Sequence, residues 1–231
     1  MNKKSVLFSA ILLLAFACNK QDAEKTTENN KQEQTEQKQE EGSSTLISCE
    51  GIGKVKFSMS YTDLEKSFGK EKLQSDTVFA GTPIMGDERE DEDRIHTTVH
   101  APEGRIYVTW AAGKTAKEIK EIGITFGDKP TYKFANGIGI GSSLNELQKA
   151  NINGDFDFYG LGWQYGGIIL NKTATGDFFE RFPCFTAYFR TKDDTYDKVQ
   201  SIMGEEKFKA SKVGEKEARE LIIAEITLVK K

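Results

Sequence analysis

Apolar positions fall into two regimes along the chain. Near the start they form one unbroken run, residues 6–14, behind Lys3 and Lys4. After Ser44 they come in short periodic groups separated by turn residues. Between the two, residues 19–44 hold almost nothing apolar. The periodic region predicts short strands and short helices. Ile95, Thr97 and Val99 alternate with His96, Thr98 and His100. Ile106, Val108 and Trp110 alternate with Arg105, Tyr107 and Thr109. That period of two predicts strands over 94–101 and 104–111. Similar runs predict strands over 118–126, 155–159, 163–171, 185–190 and 220–229. Residues 218–224 also fit a helix, which leaves the start of the last strand open.

A self-similarity organises these elements. Val55-Lys56-Phe57-Ser58-Met59-Ser60-Tyr61-Thr62-Asp63-Leu64 lines up with Ile138-Gly139-Ile140-Gly141-Ser142-Ser143-Leu144-Asn145-Glu146-Leu147. In each copy, apolar residues two apart make a short strand. Ser60 or Ser143 then caps a helix, with Asp63 or Glu146 completing a capping box three residues on. Tyr61 and Leu64, like Leu144 and Leu147, share one helix face. Gly69 and Asn153-Gly154 are expected to end the helices, because they tolerate left-handed backbone. The pattern predicts an α+β fold of two repeats, about 51–128 and 134–231. Each is a short helix followed by an antiparallel meander, and the two share one antiparallel sheet.

Composition sets the boundaries around that domain. The chain has 231 residues, of which 45–231 suffice for one domain with its own core. The Gln-, Glu-, Lys- and Asn-rich stretch before it cannot offset its ordering entropy and is expected to act as a disordered tether. A net charge of −4 argues against a nucleic-acid partner, which calls for a basic face.

The N-terminal run has a basic start, a short apolar core and small residues at Ala15 and Ala17. This is the layout of a secretory signal, and the run is shorter than the roughly 20 residues of a membrane-spanning helix. Ala15-Phe16-Ala17-Cys18 resembles a bacterial lipobox. The resemblance implies removal of residues 1–17, lipid attachment at Cys18 with palmitate-type acyl chains, and a lipidated tether over 18–44. Asn19, following the cysteine, implies the outer membrane. The helix entry Gly141-Ser142-Ser143-Leu144-Asn145-Glu146-Leu147 resembles that of the β-lactamase-inhibitor-protein and SmpA/OmlA lipoprotein fold family. That likeness implies a non-catalytic envelope lipoprotein that binds or helps assemble a protein partner. Two alternatives stand beside it: a secreted hydrolase of envelope polymers working through carboxylates, and a glycan- or small-ligand-binding lipoprotein.

Candidate chemistry is sparse. Cys49 and Cys184 form an even pair in an exported chain, and two readings stay open: a disulfide or two separate buried thiols. Gly137, Gly139 and Gly141 precede a helix but lack the spacing and lysine of a phosphate loop. Asn151, Asn153, Asp155 and Asp157 fail the EF-hand pattern, with Lys149 and Gly160 where carboxylates belong. They read as a helix end followed by an edge strand whose polar residues face water. His96 and His100 would lie about 13 Å apart on one strand face, too far for one metal. No cofactor or metal is expected. The acidic run 87–94 reads as a solvated loop. Tyr159, Trp163 and Tyr165, set among Gly160, Gly162, Gly166 and Gly167, form the candidate binding surface. The plainer reading, which the sequence favours, makes Trp163 a core anchor and the glycines turn-formers.

Overall fold

The computed structural model describes residues 44–79, 92–113, 115–163 and 166–231. The apolar run at 6–14, Cys18, the tether up to residue 43, Tyr165 and residues 87–91 of the acidic run lie outside them. The chain begins with β1 (Leu46–Ser48), β2 (Gly51–Ile52) and β3 (Val55–Lys56), then α1 (Tyr61–Phe68). Next come β4 (Leu73–Val78), β5 (Arg94–Ala101), β6 (Gly104–Trp110) and β7 (Ile119–Thr125). The second half runs β8 (Lys133–Phe134), α2 (Leu144–Ala150), β9 (Asp157–Tyr159), α3 (Asp177–Arg181) and β10 (Phe185–Thr191). It ends with β11 (Lys207–Lys209), α4 (Glu215–Glu220) and β12 (Leu221–Val229).

The fold is α+β, and its strands form three mostly antiparallel sheets rather than the single sheet expected. The large one has six strands in the order β10-β12-β7-β6-β5-β4. It mixes strands from both halves of the chain, with β7 and β12 paired at the junction. A four-stranded sheet, β3-β2-β1-β8, contains one parallel pair, β1 with β8. β9 and β11 form a ribbon. The predicted strand at 163–171 is reduced to single bridges, Phe158 to Ile169 and Ile168 to Tyr188. Those bridges place residues 168–169 between β9 and β10, so β9 has this segment on one side and β11 on the other and is no edge strand.

α1 and α2 start as their sequences require. The Ser60 side chain accepts from the Asp63 amide, and the Asp63 carboxylate accepts from the Ser60 amide. Ser143 and Glu146 repeat the arrangement. α1 ends at Gly69 with φ 88°, a left-handed backbone suited to glycine. α2 ends at Asn151, two residues before the expected stop, and Asn153 supplies the left-handed turn (φ 62°) just beyond. Asn151 is buried, and its side chain braces the α3 loop. Its Nδ2 donates to Thr175 O at 2.8 Å, and its Oδ1 accepts from the Phe178 amide at 3.2 Å. Asp155 accepts from Ser211 Oγ at 2.6 Å. These polar residues tie loops together and do not simply face water.

The core lies between the large sheet and the helices. α1 touches β4 and β5, while α2 and α4 touch β12. Trp110, Ile122, Phe189 and Ile226 are buried from the sheet side, and Leu64, Leu144 and Leu147 from the helix side. Trp110 needs a partner for its ring N–H there, and donates to Thr97 Oγ1 at 2.9 Å. The loop before α2 is stitched to β12: Gly141 N donates to Ile223 O, and Ile223 N to Ser142 O, each at 2.8 Å. Gly141 thus serves this docking, while Gly137 and Gly139 bond back toward β8 and the loop itself. Cys49 and Cys184 are joined by a disulfide, Cα to Cα 5.5 Å, across 135 residues of sequence. It clamps the β1–β2 turn to the start of β10. On a chain-entropy basis so long a loop is worth nominally about 5 kcal/mol.

Candidate functional site

The side of the large sheet away from the helices is open, and strand register decides what it displays. One rung crosses all six strands: Gln74, Thr98, Tyr107, Gly123, Thr227 and Thr186. A second runs Asp76, His96, Thr109, Glu121 and Val229. A third places Thr125, Glu225 and Tyr188 side by side. Gly123 has no side chain to contribute, and the face dips there. The dent holds about 290 Å³. Tyr107 and Thr227 border it across the rung, and Glu121 and Glu225 border it along the strands.

A buried carboxylate fixes Tyr107. Asp128 lies just past β7 with its side chain only 3 % exposed. Its Oδ2 accepts from Tyr107 Oη at 2.6 Å and from Thr125 Oγ1 at 3.1 Å, while its Oδ1 pairs with the Arg105 guanidinium. Burial pushes the Asp128 carboxyl up, but the hydrogen bonds from Tyr107, Arg105 and Thr125 outweigh it and hold the group below its ordinary value. For Tyr107, burial and the same carboxylate raise the phenol above its ordinary value. The ring is therefore a neutral, oriented hydrogen-bonding group at the rim.

Glu225 behaves differently. Desolvation by the surrounding sheet raises its carboxyl above the ordinary value; the Thr227 hydroxyl, 3.2 Å from Oε1, lowers it, and Glu121 raises it further. The residue is exposed through the open side of the face, so water screens much of this effect. His96 lies at the border, and its Nε2 is buried with no hydrogen-bond partner among the described residues. The dent thus gathers two carboxylates, an oriented tyrosine, hydroxyls and an unsatisfied imidazole nitrogen. Such a set receives a basic or polar group from a partner surface.

Of the residues singled out in sequence, His96 reaches the dent, and the aromatic trio lies elsewhere. Tyr159 and Trp163 are both half-buried, with ring centroids 5.4 Å apart in a T-shaped pair. Trp163 Nε1 donates to Gly160 O at 2.8 Å. Trp163 is therefore not the expected core anchor; the fully buried tryptophan is Trp110. The tight turn after Gly160 swings Trp163 outward, where its N–H closes that turn. The glycines do serve close approach. A Cβ at Gly167 (φ 85°) would stand 2.1 Å from Phe189 O, and one at Gly160 would stand 2.5 Å from Gly204 O. Of the candidate trio, Tyr159 lines a concavity, Trp163 packs edge-on against its ring, and Tyr165 lies outside the described residues. Among the described residues, no group of three or more His, Cys, Asp or Glu side chains is arranged to hold a metal.

Sequence reading missed Tyr107, Glu121, Glu225 and Asp128 as a set. Alternation shows that the first three point away from the core. Only the pairing of β6 with β7 and β7 with β12 shows that they converge on Gly123. Comparison with family models, with curated proteins and with solved structures finds no match to this chain.

Proposed function

We propose that the chain is a lipid-anchored envelope lipoprotein that binds a protein partner, without catalysis, through the open face of its large sheet. The observation that carries the reading is the rung across all six strands, with the dent at Gly123 between Tyr107 and Thr227. It is a wide, polar, aromatic-bearing surface on rigid strands, which suits recognition of a protein surface more than enclosure of a reacting substrate. The carboxylates Glu121 and Glu225 make a basic side chain the natural occupant of the dent. The anchor is the acylated Cys18 at the outer membrane, with the segment up to Ser44 as spacer. The lipobox resemblance supports this.

The same reading includes the two-repeat architecture of the β-lactamase-inhibitor-like and SmpA/OmlA-like lipoproteins. The twin capping boxes support it. So does strand order: β4-β5-β6-β7 on one side of the β7–β12 junction is mirrored by β12, β10, the bridged segment at 168–169 and β9 on the other. A test places photo-cross-linking side chains at Thr109 and Thr227 in the lipidated protein within its own envelope, with Lys66 on α1 as control. The expected result is one discrete protein adduct from the sheet positions, lost in Glu121→Gln/Glu225→Gln. The same adducts from Lys66 would overturn the assignment of the face. Cys18→Ala protein that stays with the membrane would overturn the anchor.

A further inference from the structure

A second concavity, larger than the dent, opens where the large sheet meets β9 and α3. It holds about 900 Å³, at the upper end of the roughly 300–1,000 Å³ of small-molecule sites. Its lining is divided by chemistry. The floor is apolar: Ile169 and Phe179 are buried, and Leu170, Pro183 and Val229 extend it toward the opening. Val229 is 39 % exposed, a large apolar side chain left facing the groove. The rim is cationic, with Lys172, Lys207 and Lys231 against one carboxylate side chain, Glu180. None of the three ammonium groups forms an ion pair with a described residue. The Lys207 ammonium instead rests over the Tyr159 ring, 5.5 Å from its centroid.

From this division we infer that the groove binds a single-chain anionic amphiphile: a long-chain fatty-acid carboxylate whose tail lies on the apolar floor and whose head meets Lys172 and Lys207. The floor supplies area that must otherwise face water, and an alkyl tail covers it without needing hydrogen bonds. The unpaired lysines select a negative head. A stacked sugar suits the groove less well, because Lys207 covers one face of the Tyr159 ring and Trp163 packs against the ring in the T-shaped pair. The groove and the dent share no lining residue, although Thr186 and Val229, which line the groove, also end the first two rungs of the open face.

The test uses the full-length lipidated protein in nanodiscs and a diazirine-bearing palmitate as probe. Labelling is expected on the peptides carrying Leu170 or Val229. Excess palmitate should compete it away, whereas uncharged 1-palmitoylglycerol should compete at least tenfold less well. Among competing carboxylates, potency should rise roughly fourfold per added methylene until the floor is covered. Lys172→Gln/Lys207→Gln removes only exposed charges and should cut labelling about tenfold. Val229→Glu, placing a charge on the floor, should abolish it. Both variants are checked for an unchanged melting temperature. Absent labelling, equal competition by the uncharged lipid, or undiminished labelling of both variants would overturn the inference.

Discussion

The dent above Gly123 and the groove beside α3 lie within one fold but are built by opposite means. Every side chain around the dent is set by strand register, so its geometry is as regular as the sheet. The groove is set by the irregular segments on either side of α3, the disulfide at Cys184 and the stub of β9. The dent is shallow and acidic; the groove is three times the volume, floored by apolar groups and rimmed with lysines. A regular sheet displays a flat array that a surface can match. Irregular connections enclose volume that a small molecule can fill. The two regions therefore differ in what they can bind and in what holds them in shape.

That difference can be broken most forcefully from beneath. Trp110 lies under the dent half of the sheet, with Tyr61 against its ring and Thr97 on its N–H. Trp110→Ala should cost about 3–5 kcal/mol of stability in denaturant titration, and the dent and groove should be lost together. Removing the disulfide should separate them. Cys49→Ser/Cys184→Ser is expected to cost about 2–5 kcal/mol. Because Cys184 is part of the groove wall and does not line the dent, amide exchange should rise first at residues 169–174 and stay low in β6 and β7.

Asp128 tests the dent alone. Asp128→Asn leaves the hydrogen-bonding shape but removes the charge paired with Arg105, and should cost about 1–3 kcal/mol at neutral pH. The folded carboxyl lies below its unfolded value of about 3.9. Its contribution is therefore full above about pH 4 and is lost as pH falls through the folded value. Unfolding titrations at pH 7 and pH 3 should show wild type losing this increment on acidification and Asp128→Asn losing less. The smallest stability effect belongs to Glu225. Its carboxyl is raised in the fold, so the favourable contribution is present below about pH 4.3 and is lost as pH rises through the folded value. Glu225→Gln should change stability at pH 7 by no more than about 0.5 kcal/mol, toward greater stability, while weakening partner cross-linking from Thr227.

What could be read in advance follows the same division. The capping boxes at Ser60 and Ser143 were legible because each is local, a hydroxyl and a carboxylate three residues apart. β5 and β6 were legible because one side of each is packed and the other wet. β4 was not, since Leu73–Val78 is an exposed edge strand with no buried face to impose alternation. α3 was missed because it is five residues long, follows Gly176 without a side-chain cap, and owes its place to Phe178 and Phe179 packing on Phe185. The parallel pairing of β1 with β8 joins segments far apart in sequence and leaves no periodic trace. For the site, the aromatic trio drew attention to Tyr159, which does line a concavity. The lysines that complete that groove come from three separate segments and could not be gathered from spacing.

The disulfide also decides how the domain meets force. Cys49 lies five positions after Ser44, where the described chain begins. A pull applied ahead of Ser44 peels β1 over those few residues and then reaches a covalent link. From Cys49 the load crosses to Cys184 and enters β10, which is held along its length by β12. The stretch between the two cysteines, which are 135 positions apart, includes α1, β4 to β7 and α2 and forms a loop that carries none of that tension. A domain held by its N-terminal end in a moving envelope would strain one short segment and a single S–S bond, and the sheet that carries the dent would keep its register.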